Sequence, residues 1–541
     1  MEKPFAITLE VGSSLANKTG SWRTERPVYV DRLPPCNDAC PAGEDIQRWL
    51  YLAEDGSYES AWREILRVNP FPAVMGRACF HPCQTACNRA TIDEAVGINA
   101  IERFLGDRAL AEGWLPDSVA PPTGRRVLVV GSGPGGMTAA YHLRRLGHDV
   151  VVYESSALPG GMMRYGIPAY RLPREVVAAE IDRIVALGVE IHCGTPVSDL
   201  GAALESGGFD AAFLAVGAQR GRHADIPAGD SARILNAVDL LRDPDSAGTA
   251  SLGRRVTVYG GGDTAMDAAR TARRLGAEET VVVYRRTTEQ MPANREEVED
   301  AAAEGVHLKW LSTIVNDDGG TLSIEHMELD ESGFPRPTGQ FEELRTDALV
   351  LALGQEADLS FLSSMPDVRP ENGLIPVGPD FMSARPGVFA GGDMVAGART
   401  LTDAIGHGRK AARAIDAWLN GRALKRPMRH PLAAAADLNI WYFADAPKSV
   451  RPRLEAARRT STFDEIVGGL EDSTALYEAR RCLSCGNCFQ CDNCFGVCPD
   501  NAVRKIDEAH GYAFDYDYCK GCGLCVQECP CGAIEMVPEE N

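Results

Sequence analysis

No apolar run in the 541 residues approaches the ~20 consecutive positions that a membrane-crossing helix needs; the longest, such as the one ending at Leu353, stop well short. Met1-Glu2-Lys3-Pro4 lacks the apolar core of a secretory signal, so the expected location is the cytoplasm. Positive charge is scarce as well. The 55 Lys and Arg against 76 Asp and Glu leave a net −21, which argues against nucleic acid or an anionic membrane as partner. Cysteine is missing from residues 194 to 481. No redox disulfide can form within that stretch, and a cofactor bound there must pass its electrons on by another route. Low-complexity tracts are absent too.

What the chain does have is cysteine concentrated on both flanks. Of 17, five lie between Cys36 and Cys87, eleven between Cys482 and Cys531, and Cys193 stands alone. A disulfide scaffold would spread its cysteines through a small secreted domain, whereas clustered thiols in a reducing compartment indicate metal. The C-terminal spacing is direct: Cys488, Cys491, Cys494 and Cys498-Pro499 form C-x2-C-x2-C-x3-C-P, and the pattern recurs at Cys519, Cys522, Cys525 and Cys529-Pro530. In such a doubled motif three close cysteines wrap one iron–sulfur cube and the fourth reaches across to the other. The expected sets are Cys488, Cys491, Cys494 with Cys529, and Cys519, Cys522, Cys525 with Cys498. A pair of zinc sites would need only paired cysteines at wider separation. The motif resembles a bacterial two-[4Fe-4S] ferredoxin of α+β fold. Cys531, just beyond it, reads as a bystander.

Between the flanks lie two dinucleotide fingerprints. Arg126 to Val130 reads as a buried parallel strand running into Gly131-Ser132-Gly133-Pro134-Gly135-Gly136, then an amphipathic stretch to Leu146 and a strand from Asp149 to Tyr153 that ends at Glu154. Glycines at this spacing let the backbone approach a pyrophosphate at a helix N-terminus, and the carboxylate takes ribose hydroxyls. The bland alternative is a glycine turn in an unrelated α/β unit. A second strand, Val256 to Tyr259, leads into Gly260-Gly261-Gly262-Asp263-Thr264-Ala265, a helix to Leu275 and a strand that ends in Tyr284-Arg285-Arg286. Two arginines where NAD would meet a carboxylate suit the 2′-phosphate of NADP, although they could simply face solvent. Val388 to Asp393 and the following helix-like stretch from Thr402 to Leu419 fit the flavin end of a two-dinucleotide flavoprotein. FAD is therefore assigned Gly131, Gly133, Gly135, Gly136, Glu154, Gly161, Gly392 and Asp393; NADP (or NAD) is assigned Gly260, Gly262, Asp263, Ala265, Arg285 and Arg286. Leu214 to Gly217 and Leu351 to Gly354 fit the crossings between the two Rossmann-like domains, with the NADP domain inserted in the FAD domain.

Cys36-x3-Cys40-Pro41, Asn69-Pro70-Phe71-Pro72, Gly76-Arg77-Ala78-Cys79, Gly260 to Asp267, Tyr284-Arg285-Arg286 and Met291-Pro292 carry a family resemblance. Residues 36 to about 425 resemble the small (beta) subunit of glutamate synthase. They also resemble the N-terminal half of dihydropyrimidine dehydrogenase and the large subunit of the NADH-dependent reduced-ferredoxin:NADP oxidoreductase. The resemblance implies NADPH, one FAD, a helical N-terminal domain with two clusters, and a partner that completes the reaction. It implies that Cys40, Cys79 and Cys83 share a cluster with a carboxylate, here Glu102, which is a harder ligand than thiolate and could instead be an ordinary helix glutamate. The family's other cluster joins the positions of Cys36 and Cys87 to an upstream C-x2-C that this sequence lacks. An unassigned Cys482-x2-Cys485 stands before the ferredoxin motif, and the expectation is that it folds back to complete that cluster. Four [4Fe-4S] clusters are then expected, or three if Cys36 and Cys87 are unused.

The expected organisation begins with an irregular arm (1–30) and a helical cluster domain with its linker (31–123). The FAD domain follows as two segments (124–225 and 345–425) that flank the NAD(P)H domain (226–344). A connector with helical spacing over Phe463 to Leu476 (426–481) leads to the ferredoxin domain (482–541). The function expected is electron transfer between NAD(P)H, FAD and clusters, to or from a protein partner that holds the substrate site, in a hetero-oligomer. The fused ferredoxin favours a 2-oxoacid:ferredoxin oxidoreductase-type partner. Alternatives are the small subunit of an NADPH glutamate synthase (with its large subunit as partner), an electron-bifurcating subunit, or a non-catalytic iron–sulfur scaffold. No side chain need act as acid or base, so no catalytic residue is named.

Overall fold

The computed structural model describes residues 18–222, 224, 226–227, 233–242, 252–424, 429–506 and 511–539. Residues 1–17 of the expected arm and the boundaries expected at 225 and 425 lie outside them.

Two five-stranded parallel sheets form the centre. The first runs Val388–Ala390, Ala211–Leu214, Arg126–Val130, Asp149–Tyr153, Glu190–His192. The second runs Val306–Lys309, Glu279–Val283, Arg255–Tyr259, Ala348–Leu351, Ile234–Asn236. Their inner strands are runs of valine, leucine and alanine because both faces are covered, in the second sheet by helices on one side and an antiparallel meander on the other, leaving no polar side to alternate with. Helices Pro134–Arg145 and Leu401–Leu419 pack against each other on the first sheet. A two-stranded ribbon, Arg220–Gly221 with Gln355–Glu356, marks the two crossings between sheets. One feature of the insert is not expected from sequence: an antiparallel meander of Ser312–Asp317, Thr321–Leu329 and Pro335–Arg345, buried through Ile314, Leu322 and Ile324.

Before the sheets lies a helical domain of Ile46–Glu54, Tyr58–Leu66, Pro72–Ala78 and Ile98–Glu112. Ile46, Trp49, Leu50 and Ala53 fall on one helical face and are buried, and Asp45 caps that helix by accepting from Arg48 N at 3.2 Å. Its core, around Trp49, Trp62 and Leu105, also takes Ala475 and Ala479 from the distant helix Asp472–Ala479.

That helix corrects the connector. Helical spacing over Phe463 to Leu476 gives helix only from Asp472; Gly468-Gly469 interrupts the pattern. Ile466 N donates to Tyr170 O at 3.0 Å and Val467 bridges to Arg453 in an extended run. A second correction concerns the arm. Glu25–Tyr29 is a strand, paired antiparallel with Ile534–Pro538 from Glu25↔Pro538 to Tyr29↔Ile534. Arg23 locks the pair by a two-pronged bond to the Glu539 carboxylate at 2.7 and 2.8 Å. A five-residue strand containing Pro27 has no local partner to reveal it; its partner is the last described strand of the chain. The ferredoxin domain itself holds the ribbon of Val503–Lys505 with Tyr512–Phe514 and helices Asn493–Val497 and Leu524–Gln527. No described helix is long and apolar enough to cross a membrane.

Candidate functional site

The C-terminal ends of both sheets open into one cavity of about 1250 Å³. Gly131, Gly133, Gly135, Glu154, Gly161, Gly392 and Asp393 line one side; Gly260, Gly262, Asp263, Arg285 and Arg286 line the other. Gly131 (φ +99°) and Gly260 (φ +149°) make the tight turns out of their strands in a region that side chains disfavour. At Gly133 and Gly262 an added Cβ would meet nothing within 4 Å, so the backbone is bare where a pyrophosphate must come close. Gly136 presses on the Gly131 carbonyl and Ala265 is fully buried; these two seat the helices rather than face the cavity.

Glu154 is buried, its carboxylate accepting from Ser132 N at 2.9 Å, Ser132 Oγ at 2.5 Å and Ser156 N at 2.7 Å. Burial pushes the Asp393 carboxyl up, as it does Asp263, whose Oδ1 also accepts from Asn294 N at 2.8 Å. Arg286 Nε is buried without a hydrogen-bond partner among the described residues, beside the exposed Arg285. An orphaned guanidinium nitrogen at the wall of a nucleotide cleft suits a phosphate oxygen.

Cys79 also lies on the wall of this cavity, its Sγ 3.1 Å from Thr402 Oγ1 at the start of Leu401–Leu419. Around it gather Cys40, Cys83 and Glu102. Burial, then the Glu102 carboxylate, push the Cys79 thiol up to about 12; burial and the neighbouring Cys79 and Cys40 raise Cys83. Burial, with the charge of Glu44 behind it, holds the Glu102 carboxyl well above its usual range. Glu44 is the residue that sequence reasoning misses. Asn69 Nδ2 donates to both carboxylates, at 2.9 Å each, and Trp49 Nε1 donates to Glu44 at 3.2 Å. Glu44 is thus held on both oxygens, while Glu102 has an oxygen left over for the cysteines beside it. Four residues after Cys40 in a chain turn, Glu44 has no pattern to mark it.

A second nest forms where the chain's flanks meet. Cys36, Cys87, Cys482 and Cys485 together line a small internal cavity with Gln47 and Ile98. Burial, followed by the adjacent Cys482, Cys87 and Cys485, raises the Cys36 thiol. The ferredoxin sets also assemble: Cys494 stands beside Cys488, Cys491 and Cys529, and Cys525 beside Cys519, Cys522 and Cys498. Among the described residues no three His, Cys, Asp or Glu side chains close to the distance of a single metal ion. A cube holds its ligand sulfurs farther apart than one ion does.

Backbone strain marks the same loops. Of nine described non-glycine residues with positive φ, five flank cysteines: His81, Ser484, Gln490, Asp492 and Asn501. Backbone N–H groups point at sulfur, from His81 to Cys79 (3.2 Å), Ala502 to Cys498 (3.2 Å) and Ala533 to Cys529 (3.3 Å). Two side chains add to this. Tyr29 OH lies 3.3 Å from Cys494 Sγ, its ring stacked on Phe514 at 4.6 Å. Cys531, expected as a bystander, sits 3.7 Å from Cys529 Sγ, and this contact holds the Cys529 thiol below its ordinary value.

Residues 125–413 match the family model of pyridine nucleotide-disulphide oxidoreductases, 14–114 that of dihydropyrimidine dehydrogenase domain II with its 4Fe-4S cluster, and 487–533 a 4Fe-4S dicluster domain. The beta subunit of an NADP(+)-dependent formate dehydrogenase from Moorella thermoacetica is 34% identical over 497 residues, 83% of this chain and 70% of that protein. The small chain of the NADPH glutamate synthase of Escherichia coli K12 is 33% identical over 419 residues, 71% of this chain and 89% of that one. A putative oxidoreductase of the same organism, YgfK, is 31% identical over 537 residues, 94% of this chain, which spans 50% of that relative's length.

Proposed function

Because this chain belongs to the pyridine nucleotide-disulphide oxidoreductases, alongside the small chain of glutamate synthase, we propose that it is the electron-transfer subunit of a larger enzyme, joining NADPH to a partner's substrate site. It is an NAD(P)H-dependent flavin and iron–sulfur oxidoreductase: its domains bind FAD and NAD(P) and carry [4Fe-4S] clusters. The family's name refers to a disulfide, yet Cys193 is the sole cysteine within residues 125–413, and it is exposed. Electrons must leave the flavin another way.

The observation that carries the reading is Cys79 on the wall of the nucleotide cavity, against Thr402. In this reading Gly131, Gly133, Gly135 and Gly136 with Glu154, Gly161, Gly392 and Asp393 hold FAD. Gly260, Gly262, Asp263 and Ala265 hold the nicotinamide dinucleotide, with Arg285 and Arg286 on its 2′-phosphate. Cys40, Cys79, Cys83 and Glu102 hold the cube nearest the flavin. Cys488, Cys491, Cys494 and Cys529 hold one ferredoxin cube, and Cys519, Cys522, Cys525 and Cys498 the other. When bound, these groups supply hydride transfer between nicotinamide and flavin, two electrons at a time, and one-electron transfer beyond it. The chain's residues fix their order, exclude water from the buried nests, and set the charge each group meets. The ferredoxin domain favours a 2-oxoacid:ferredoxin oxidoreductase-type partner; the formate dehydrogenase relative, matching 83% of the chain, favours a formate-oxidising one. Activity assays of the isolated complex on each substrate decide between them. The reading itself is tested by anaerobic visible titration of the purified protein with NADPH and with NADH. Bleaching of flavin and cluster bands by NADPH is expected; bleaching by NADH alone would overturn the assignment of Arg285 and Arg286.

A further inference from the structure

The flavin-side nest and the ferredoxin domain belong to different regions of the chain, and the wire proposed above has a gap between them. Four cysteines stand there: Cys36, Cys87 and Cys482 pack in one core with Cys40 and Cys83 of the flavin-side nest, and Cys485 precedes Cys488 of the ferredoxin motif by three residues. Cys36 and Cys87 come from the helical domain, Cys482 and Cys485 from the segment that follows helix Asp472–Ala479. All four line one small cavity whose other walls include Leu50, Val96 and Ile98 beside Gln47, Asn88 and Arg89.

Three further observations show that this is a built site. The first is loop geometry. In Cys488-Phe489-Gln490-Cys491-Asp492 the residues two and four places after the leading cysteine, Gln490 and Asp492, have positive φ (62° and 66°); in Cys519-Lys520-Gly521-Cys522-Gly523 the matching Gly521 and Gly523 do too (74° and 76°). Cys482-Leu483-Ser484-Cys485-Gly486 repeats the pattern, with Ser484 at 50° and Gly486 at 78°. A serine held left-handed is uncommon, and here it sits at the same offset as in both ferredoxin loops. The second is donor placement: Ser484 N is 3.5 Å from Cys482 Sγ and Asn88 Nδ2 is 3.5 Å from Cys485 Sγ.

The third is what clamps the loop in place. Arg481, 2% exposed, donates to Glu94 O at 2.6 Å, Ala95 O at 3.2 Å and Asp93 Oδ1 at 3.1 Å on the helical domain, and pairs with Glu478 at 2.5 Å. Glu478 in turn accepts from Gly97 N at 2.6 Å. A buried network of this density, next to the loop, fixes Cys482 and Cys485 against Cys36 and Cys87.

We infer that Cys36, Cys87, Cys482 and Cys485 hold a further [4Fe-4S] cube, shared between the two flanks of the chain, which is the relay between the flavin-side nest and the ferredoxin domain. It takes up one electron from the flavin side and yields one to the ferredoxin side, with no bond made or broken and the pair of electrons from each NADPH passing singly. The inference rests on the electron-transfer reading above.

The test is iron and acid-labile sulfide content of the anaerobically purified full chain, beside the double variant Cys482→Ser/Cys485→Ser and the control Cys193→Ser. At about four irons per cube, wild type and control should hold about 16 irons and the double variant about 12, with FAD content unchanged. Spin integration of dithionite-reduced samples should fall in the same proportion. NADPH should still bleach the variant's flavin, while its ferredoxin cubes should be reduced by dithionite and no longer by NADPH. A wild-type content near 12 with FAD bound, or a double variant that keeps its iron and its NADPH-driven reduction of the ferredoxin cubes, overturns the inference and leaves the electron-transfer reading standing. Failure of both NADPH and NADH to bleach the wild-type flavin overturns that reading instead, whatever the iron count.

Discussion

In the two parallel sheets, each glycine turn is completed by the helix and strand that follow it directly: Gly131 by Pro134–Arg145 and Glu154, Gly260 by Asp263–Arg274 and Arg285. The sulfur nests are assembled the opposite way, with Cys36 facing Cys482 and Tyr29 facing Cys494 across nearly the whole chain. The glycine turns of the sheets are local in sequence, although Val388–Ala390, Gly392 and Asp393 join the first sheet and its cavity from beyond the insert. The nest of Cys36, Cys87, Cys482 and Cys485 exists only once both flanks have docked. A change in the sheets should therefore act on one cofactor, and a change at the flanks on how domains are wired together.

The largest separation should come from the sheets. Replacing Arg285 and Arg286 by Ala removes charge-assisted bonds worth roughly 1.5–3 kcal/mol each, or about 10–150-fold apiece in KM for NADPH. KM for NADH and the iron content should not move. Equal losses for both nucleotides would mean the arginines serve the shared portion of the dinucleotide, and steady-state kinetics with each reads this directly.

At the seam between the halves, His142 of Pro134–Arg145 lies 2.9 Å from Val68 O, its Nε2–H donating. Burial pushes it down to about 3 from an ordinary value near 6.5. The unfolded chain takes up a proton below about 6.5 where the folded seam does not. The seam's stability is thus whole above that pH and falls by about 1.4 kcal/mol per unit as the pH drops from 6.5 towards 3. Urea midpoints measured at pH 7 and pH 5 should show that loss, and His142→Gln should flatten it.

The smallest effect belongs to the flanks. Tyr29→Phe keeps the stack on Phe514 but removes a hydrogen bond to a ligand sulfur, and donors to sulfur raise a cluster's potential. A bond worth about 0.5–1.5 kcal/mol corresponds to roughly 20–65 mV for one electron. Potentiometric titration followed by electron paramagnetic resonance should find one ferredoxin cube shifted negative by that amount and the others unmoved.

The same contrast explains what can be read from sequence. Periodicity and glycine spacing are local, so the fingerprint strands of both sheets, their crossings and the ferredoxin repeat are legible, as is the helix Leu401–Leu419, whereas the edge strands Glu190–His192, Ile234–Asn236 and Val306–Lys309 are not. Cysteine arithmetic makes Cys482 and Cys485 conspicuous because thiols are rare enough to count. Glutamates are not, and Glu44 goes unseen although it shares Asn69 with Glu102. Glu25–Tyr29 reads as irregular because a short strand's identity lies in its partner, and that partner is Ile534–Pro538. The spacing over Phe463 to Leu476 reads as helix because periodicity alone does not register Gly468-Gly469 as a stop. The meander from Ser312 to Arg345 is hidden inside a domain whose fingerprint speaks only for its parallel strands.

The meeting of Cys36 and Cys87 with Cys482 and Cys485 has a meaning for biosynthesis. Roughly 400 residues separate Cys87 from Cys482, so at about 5–20 residues per second the helical domain leaves the ribosome some 20–80 s before its last two thiols exist. The nucleotide sheets have time to fold and close in that interval, while the nest stays open. A chain that stalls short of Cys482 presents half a nest and an unfilled Trp49–Trp62 core, lacking Ala475 and Ala479. The contact between the two cysteine-rich flanks thus forms only after every residue between them has been made.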